Sequence, residues 1–393
     1  MSLDLISLAD TASCIVDNRG KTVPTIDKGI PLIKTNCITN EQLYPHVDGA
    51  FYISQEIYDT WFRAHPKPGD IILTLKGSQN GAACLVPNPV SFVIAQDMVA
   101  IRVNEKVINA HYLLAALRSR EVQHQIKTLD VSGVIPHLKK TDFDKLILPY
   151  PSREIQDYIG QLYHKLSTKI ELLRHQNHDL EELAKTLFKR WFVEFEFPNE
   201  NGEPYKSSGG KMVASELGEI PEGWRFGELS ELLEIKYGKD HKHLADGNIP
   251  VYGSGGIMRY VNEFIYDKPS ILLPRKGTLS NLFYLNEPFW SVDTMFYSKI
   301  KKEEYGKYCF QLLKTLNLSL MDVGSAVPSL STSVLNGINV LIPYMKVAGK
   351  FEEALSSLFN KKNTNQQEIQ TLTQLRDALL PKLVSGELRI KVL

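Results

Sequence analysis

At 393 residues the chain has the length of two domains or more, and 43 % apolar with 23 % charged residues is the composition of a globular fold, not a disordered one. Its 45 basic and 45 acidic residues cancel, which excludes a nucleic-acid binder working by bulk positive charge, though not one whose signs are segregated or whose partner adds cations. No apolar run approaches the roughly 20 residues of a membrane helix, and "MSLDLISLAD" at the start has early acid and no basic flank, unlike a signal peptide. Cys14, Cys37, Cys84 and Cys309 are widely spaced, so reduced thiols in a cytoplasmic protein are expected.

In chain order, the first half offers short β-branched strands punctuated by Gly, Pro and Asn. "GIP" from Gly29 comes first, then "GDIILTLKGSQN" (Gly69 to Asn80), a strand running into a Lys-Gly turn, and "SFVIAQDMVAIRV". A helix is predicted near "AHYLLAALRSREVQHQI", then "VSGVIPHL" (Val131 to Leu138) and the strand "KLILPYP". After Pro151 a long helix is predicted, with an apolar seam at three- and four-residue steps through Ile159, Leu162, Leu166, Leu173, Leu180, Leu183 and Leu187. "FPNENGEPYKSSGG" (Phe197 to Gly210) follows, expected as a surface connector.

The second half then repeats the order. "NIP" from Asn248 matches "GIP", "KPSILLPRKGTLSN" (Lys268 to Asn281) matches the strand and Lys-Gly turn, and "VGSAVPSL" (Val323 to Leu330) follows "VSGVIPHL" by 192 positions. "INVLIP" then leads into a second long helix, with a seam through Phe351, Leu355, Leu358, Ile369, Leu372, Leu375 and Leu379, interrupted by the polar "NKKNTNQQE". The two seams are expected to pack antiparallel, with docking of each helix on its own domain as the plainer alternative. The expected boundaries are 1–150 for the first domain, 151–192 for its helix, 193–224 for a linker, 225–343 for the second domain, 344–385 for its helix and 386–393 for a tail.

Enzyme chemistry finds little to stand on. "YGSGG" (Tyr252 to Gly256) lacks dinucleotide-loop spacing, "SSGGKM" is no Walker loop, and "PNPV" is not the run that an adenine methyltransferase needs. "EIK" (Glu234 to Lys236) is half a nuclease motif, and the histidines of "HQNH" and "HKH" have no completing metal ligands. The repeated turns do suit DNA. Lys76, Gly77, Ser78, Gln79 and Asn80 in one half, and Arg275, Lys276, Gly277, Thr278 and Asn281 in the other, combine phosphate-seeking cations, base-reading amides or a guanidinium, and a glycine that lets the backbone approach. Arg19, Lys21, His137, Lys139, Lys140, Lys239 and Lys242 add further donors. Each alone is an ordinary solvated turn residue; the equivalent placement in both halves favours nucleic acid.

The chain resembles the specificity subunit of Type I restriction–modification systems. The resemblance is carried by "LFKRWFVEFEFPNENGEPYKSSGGKMVASELGEIPEGW" (Leu187 to Trp224), by "LRDALLPKLVSGELRI" (Leu375 to Ile390), and by "GVIPHL" and "SAVPSL"; the first domain lacks the "PEGW" lead-in of the second. It implies an α+β fold of two mixed target recognition domains separated by a pair of long antiparallel coiled-coil helices, in an internal pseudo-twofold repeat. It implies double-stranded DNA, two methyltransferase subunits and restriction/translocase subunits as partners. S-adenosylmethionine, ATP and Mg would then be bound by those partners, and this chain would hold no cofactor or metal and have no catalytic residue. Two other readings stay open on the residues alone: a coiled-coil interaction protein without a DNA role, and a nuclease using Glu234 and Lys236.

Overall fold

The computed structural model describes residues 4–18, 21–129, 135–216, 218–321 and 329–388. It divides into two compact units, Met1–Gln176 with Asn365–Leu393, and Asn177–Thr364. Each unit is a mixed domain with pieces of both long helices, so the division falls inside the helices and not at their starts.

The repeat extends to three sheets in each unit. In the first unit Asp4–Ser7 pairs antiparallel with Ile147–Tyr150 and closes the domain on itself, as Arg225–Glu228 does with Asn339–Ile342 in the second. A four-stranded antiparallel sheet runs Ala12–Asp17, Met98–Val103, Ile71–Thr74, Ala83–Leu85; its counterpart runs Leu233–Tyr237, Met295–Ile300, Ser270–Pro274, Phe283–Leu285. The central strands, "IILT" and "SILLP", are buried throughout, as continuous apolar runs must be when both faces are covered. A smaller sheet places Ile30–Ile33 between an antiparallel and a parallel neighbour, and Asp246–Gly253 lies the same way.

The long helices are Arg153–Phe188, continued by a π turn at Lys189–Val193, and Met345–Val384. In the first unit their segments run antiparallel: Ile170 and Leu173 pack with Ile369, Lys169 pairs with Glu368 at 3.2 Å, and Arg376 lies over the Tyr163 ring. In the second unit Glu181 pairs with Lys362, and Phe188 meets Phe351. Both expected packings occur together. Ile159 and Tyr163 enter the core of the first domain beside Leu380 and Val384 from the far end of the other helix. Likewise Ala348, Phe351 and Leu355 enter the second core with Ala184, Phe188 and Trp191. Each core is thus completed by the end of the helix that follows the other domain.

The seam differs from its expected course. Ile159, Leu173, Phe351, Leu355 and Ile369 are buried, and Leu162, Leu166, Leu180, Leu187, Leu358, Leu372 and Leu379 are half-buried. Leu183 and Leu375 are 46 % and 45 % exposed, so neither belongs to it. A straight helix drifts about 20° per heptad from a 3.5-residue repeat, so a leucine stripe rotates out of the contact. Ala184 replaces Leu183, and Arg376 replaces Leu375, its guanidinium 5.9 Å from the Tyr163 centroid and its stem covering apolar surface. The polar interruption also stays helical: Asn365 is fully buried, its Nδ2 donating to Gln176 Oε1 at 3.4 Å.

The connector is likewise corrected. Phe197 is 4 % exposed and stacks on Tyr205 and Trp224 at 4.5 and 5.2 Å between centroids. Its Gly and Asn residues make turns, but its two aromatics join the second core, because rings of this size gain too much from burial to stay in water. The hairpin of Met212–Ser215 with Gly218–Pro221 completes this region.

Candidate nucleic-acid interface

In the first unit the Lys-Gly turn leaves the buried strand Ile71–Thr74 with Gly77 at φ 91°, a conformation that costs glycine nothing. The Thr74 hydroxyl donates to the Gln79 and Ala82 carbonyls, and the Asn80 amide donates to the Gly77 carbonyl at 3.0 Å, which ties the turn down. On one side the Leu75 amide donates to Asp97 O at 2.8 Å. On the other, Lys76 bridges to His137, with Gly77 N to Pro136 O at 3.0 Å and Leu138 N to Leu75 O at 2.8 Å. Three segments therefore lie edge to edge as a ledge: Gln96–Asp97, Lys76–Gly77 and Pro136–His137.

The second unit builds the same ledge from different residues. Gly277 has φ 89°, Arg275 N and Lys276 N donate to Thr294 O at 2.8 and 3.2 Å, Lys276 bridges to Ser329, and Leu330 N donates to Arg275 O at 2.9 Å. The Arg275 guanidinium sits 5.7 Å from the centroid of the half-exposed Tyr237 ring. The loop after Tyr237 is drawn in at Gly238, where a Cβ would stand 2.0 Å from Val292 O; no other residue fits. Lys239 N then donates to Ser291 O, and Trp290 Nε1 donates to Lys239 O. This loop, the Gly253–Gly256 tip and the Val292–Thr294 turn enclose an open cavity of about 610 Å³, with Asp240, His241, Lys242, Ser254 and Asp293 on its walls.

The proposed readers divide into those left open and those already engaged. Ser78, Lys139, Lys239, Lys242, Lys276, Gly277, Thr278 and Lys21 are exposed, and Gln79 is half-exposed. Asn80 accepts from Leu138 N at 3.2 Å, and Asn281 donates to Ser254 O at 2.8 Å, so both carboxamides hold the ledge together in place of presenting an edge to a base. Lys140 is ion-paired with Asp17. Arg19 lies outside the described residues, as do parts of "VSGVIPHL" and "VGSAVPSL". Residues not singled out from the sequence also stand here: Lys34, 3.2 Å from the Phe51 ring centroid, and Gln96 and Asp293 on the turns beside the lysines. Only aligning the two halves would have found the last pair.

The nuclease pair is an ion pair on one strand face, Lys236 Nζ to Glu234 at 2.6 Å, and that hydrogen bond holds the Glu234 carboxyl below its usual value. Among the described residues no group of three or more His, Cys, Asp or Glu is placed to hold a metal ion, and no helix is long and apolar enough to cross a membrane.

A model of the Type I restriction modification DNA specificity domain matches residues 18–182 and again 221–374, one copy per half. The chain belongs to this family. It is 28 % identical over 360 residues to the MjaIX specificity subunit of Methanocaldococcus jannaschii, covering 84 % of this chain and 80 % of that one. It is 23 % identical to the HindI specificity subunit of Haemophilus influenzae, over 82 % and 87 % of the two chains. The crystal structure of the S subunit of the Type I restriction–modification system of M. genitalium shares the fold, with a TM-score of 0.61 at 17 % identity over 98 % of this chain and 96 % of that one. The domain is thus present twice in this chain, and the doubled ledge is where the two copies agree in backbone and differ in side chain.

Proposed function

We propose that this chain is the sequence-reading subunit of a cytoplasmic Type I restriction–modification complex. Each ledge reads one half of a bipartite target in duplex DNA. Lys76 and Lys276 take phosphates, the glycines admit the backbone, and the remaining exposed side chains face base edges. The paired helices set the gap: 36 and 40 helical residues at about 1.5 Å each exceed the ~34 Å between half-sites one turn apart. Two methyltransferase subunits dock on them, and restriction/translocase subunits join for cleavage. S-adenosylmethionine, ATP and Mg belong to those partners, and so does catalysis. The observation that carries the reading is the ledge itself, built twice from one hydrogen-bond pattern with unlike side chains, as two half-sites of unlike sequence require.

The test is a domain exchange. Replacing residues 1–150 with the corresponding domain of another family member, in complex with the methyltransferase subunits, changes one half of the methylated sequence and leaves the other; an unchanged methylome overturns the reading. Inserting one helical turn into both long helices lengthens the gap between unchanged halves. Cleavage by the purified chain alone with magnesium would return the nuclease reading.

A further inference from the structure

Within that reading, which this inference deepens, the two ledges can be matched to one another on their hydrogen bonds. Ala95 N donates to Ile33 O at 2.8 Å, and Val292 N donates to Tyr252 O at 3.1 Å; two residues later Asp97 O and Thr294 O accept from Leu75 N and Arg275 N, each the residue before the lysine of the Lys-Gly turn. The residue between, at the tip of the turn, is Gln96 in the first domain and Asp293 in the second. Among the described residues neither side chain has a hydrogen-bond partner, whereas Asn80, Asn281 and Lys140 nearby are all engaged. Asp97 has a local reason for its identity, a left-handed backbone at φ 70°, which aspartate tolerates. Gln96 and Asp293 have none.

The chemistry of the two side chains then separates their roles. A carboxylate repels a phosphate, so an exposed Asp293, which shares the cavity wall with Lys242, is of no use to the backbone of DNA. It is an acceptor only, and the base edge that offers a donor without a competing acceptor beside it is the N4 amino group of cytosine in the major groove. A glutamine carries one donor and one acceptor side by side and matches N6 and N7 of adenine. We propose that Gln96 and Asp293 are equivalent specificity-determining positions, Asp293 reading a cytosine in one half-site and Gln96 an adenine in the other.

The experiment is the methylome of cells carrying the full complex with Asp293→Asn, and separately Gln96→Glu, with the melting temperature of each purified chain as a folding control. Asp293→Asn turns one cytosine of the second domain's half-site to adenine, with methylation of the original sequence down about tenfold to a hundredfold, and leaves the other half-site alone. Gln96→Glu does the converse in the first domain's half-site. If the unsubstituted chain directs a bipartite pattern and Asp293→Asn leaves it unchanged, the inference fails while the proposed function stands. A uniform loss of methylation with unchanged sequence and unchanged melting temperature also overturns it, since that marks a positioning residue. A chain that directs no pattern with its methyltransferase present fails the proposed function instead.

Discussion

The joint between a domain and its long helix is built twice, and its chemistry is opposite in the two units. In the first, His111 and His164 stack ring on ring, 3.9 Å between centroids and 7° between planes, with Gly160 one turn earlier. In the second, Lys307 and Glu352 stand at the matching positions of His111 and Gly160, joined through Lys307 N to Glu352 at 2.7 Å and through an ion pair at 2.5 Å, and Ser356 takes the place of His164. The scaffold around the joint is unchanged. Tyr112 donates its hydroxyl to Pro149 O, and Tyr308 does so to Leu341 O, each fastening the domain helix to the last strand. Backbone pairing and these tyrosines hold the fold, so the joint itself is free to be a neutral aromatic stack or a charged pair. The same division between fixed frame and variable side chain is what the ledges need.

Breaking the charged joint has the largest expected effect. The Lys307 side chain is 9 % exposed and that of Glu352 is 21 %, so Glu352→Ala strands a nearly buried ammonium, at the lower end of about 3–5 kcal/mol. Hydrogen exchange checks it: protection falls in Ser270–Pro274 and Met295–Ile300 and is retained in Ile71–Thr74. Equal loss in both units would show that the joint is not local. Gly160→Ala comes next. Its Cβ would stand 2.6 Å from Asn109 Oδ1 and 2.8 Å from Tyr112 N, a backbone atom that cannot give way cheaply, and overpacking of this kind costs about 1–3 kcal/mol. Chemical denaturation should show the loss in the first unit, and no loss would mean the helix slides.

Acid separates the joints further. Burial lowers the values of both His111 and His164 from 6.5, and the neighbouring His111 ring further discourages charge on His164. The folded state therefore holds them neutral while the unfolded chain protonates them near 6.5, so the unfolded state binds more protons as the pH falls. The stabilisation is complete above pH 6.5 and is lost as the pH falls below it toward the lowered folded values. Thermal melts from pH 7.5 to 5.5 should show the first unit weakening, and His164→Phe, which keeps a ring in the stack, should flatten that slope. An unaltered slope would assign the acid sensitivity elsewhere.

The frame was legible in the sequence because it is periodic. Buried strands read as apolar runs, the Lys-Gly pairs read as turns at their ends, and a 192-residue offset exposed the repeat. What failed to show were choices that depend on a neighbour far along the chain. Leu183 and Leu375 look identical to Leu180 and Leu379 until the helix partner is in place and the drift of the stripe decides which face is covered. Phe197 and Tyr205 lie in a segment whose Asn and Gly content reads as loop, and only the presence of Trp224 on the same side makes a stack. Asn80 and Asn281 are good base readers by type, but Leu138 and Ser254, one of them 58 positions away, claim them first. The side chains proposed to read DNA, Gln96 and Asp293, were the least visible, since neither has a hydrogen-bond partner among the described residues and so leaves no pattern in the sequence.

The smallest effect is the one that separates holding from reading. Lys276 is exposed, and Lys76 half-exposed, and each sits beside a glycine at the centre of its ledge, where the backbone is anchored on both sides. A lysine on a phosphate releases condensed counterions, so its removal lowers the dependence of log affinity on log salt by about one and weakens binding alike on every sequence. Lys276→Ala and Lys76→Ala should each do this in titrations of the reconstituted complex with duplex DNA between 50 and 200 mM salt, about fivefold or less in affinity at the upper end. The two losses should match, because the ledges match in backbone, and should leave the methylated sequence as it was. A change in the preferred sequence would move these lysines into the class of Gln96 and Asp293; a loss confined to one ledge would mean that the two domains do not grip the duplex in the same way.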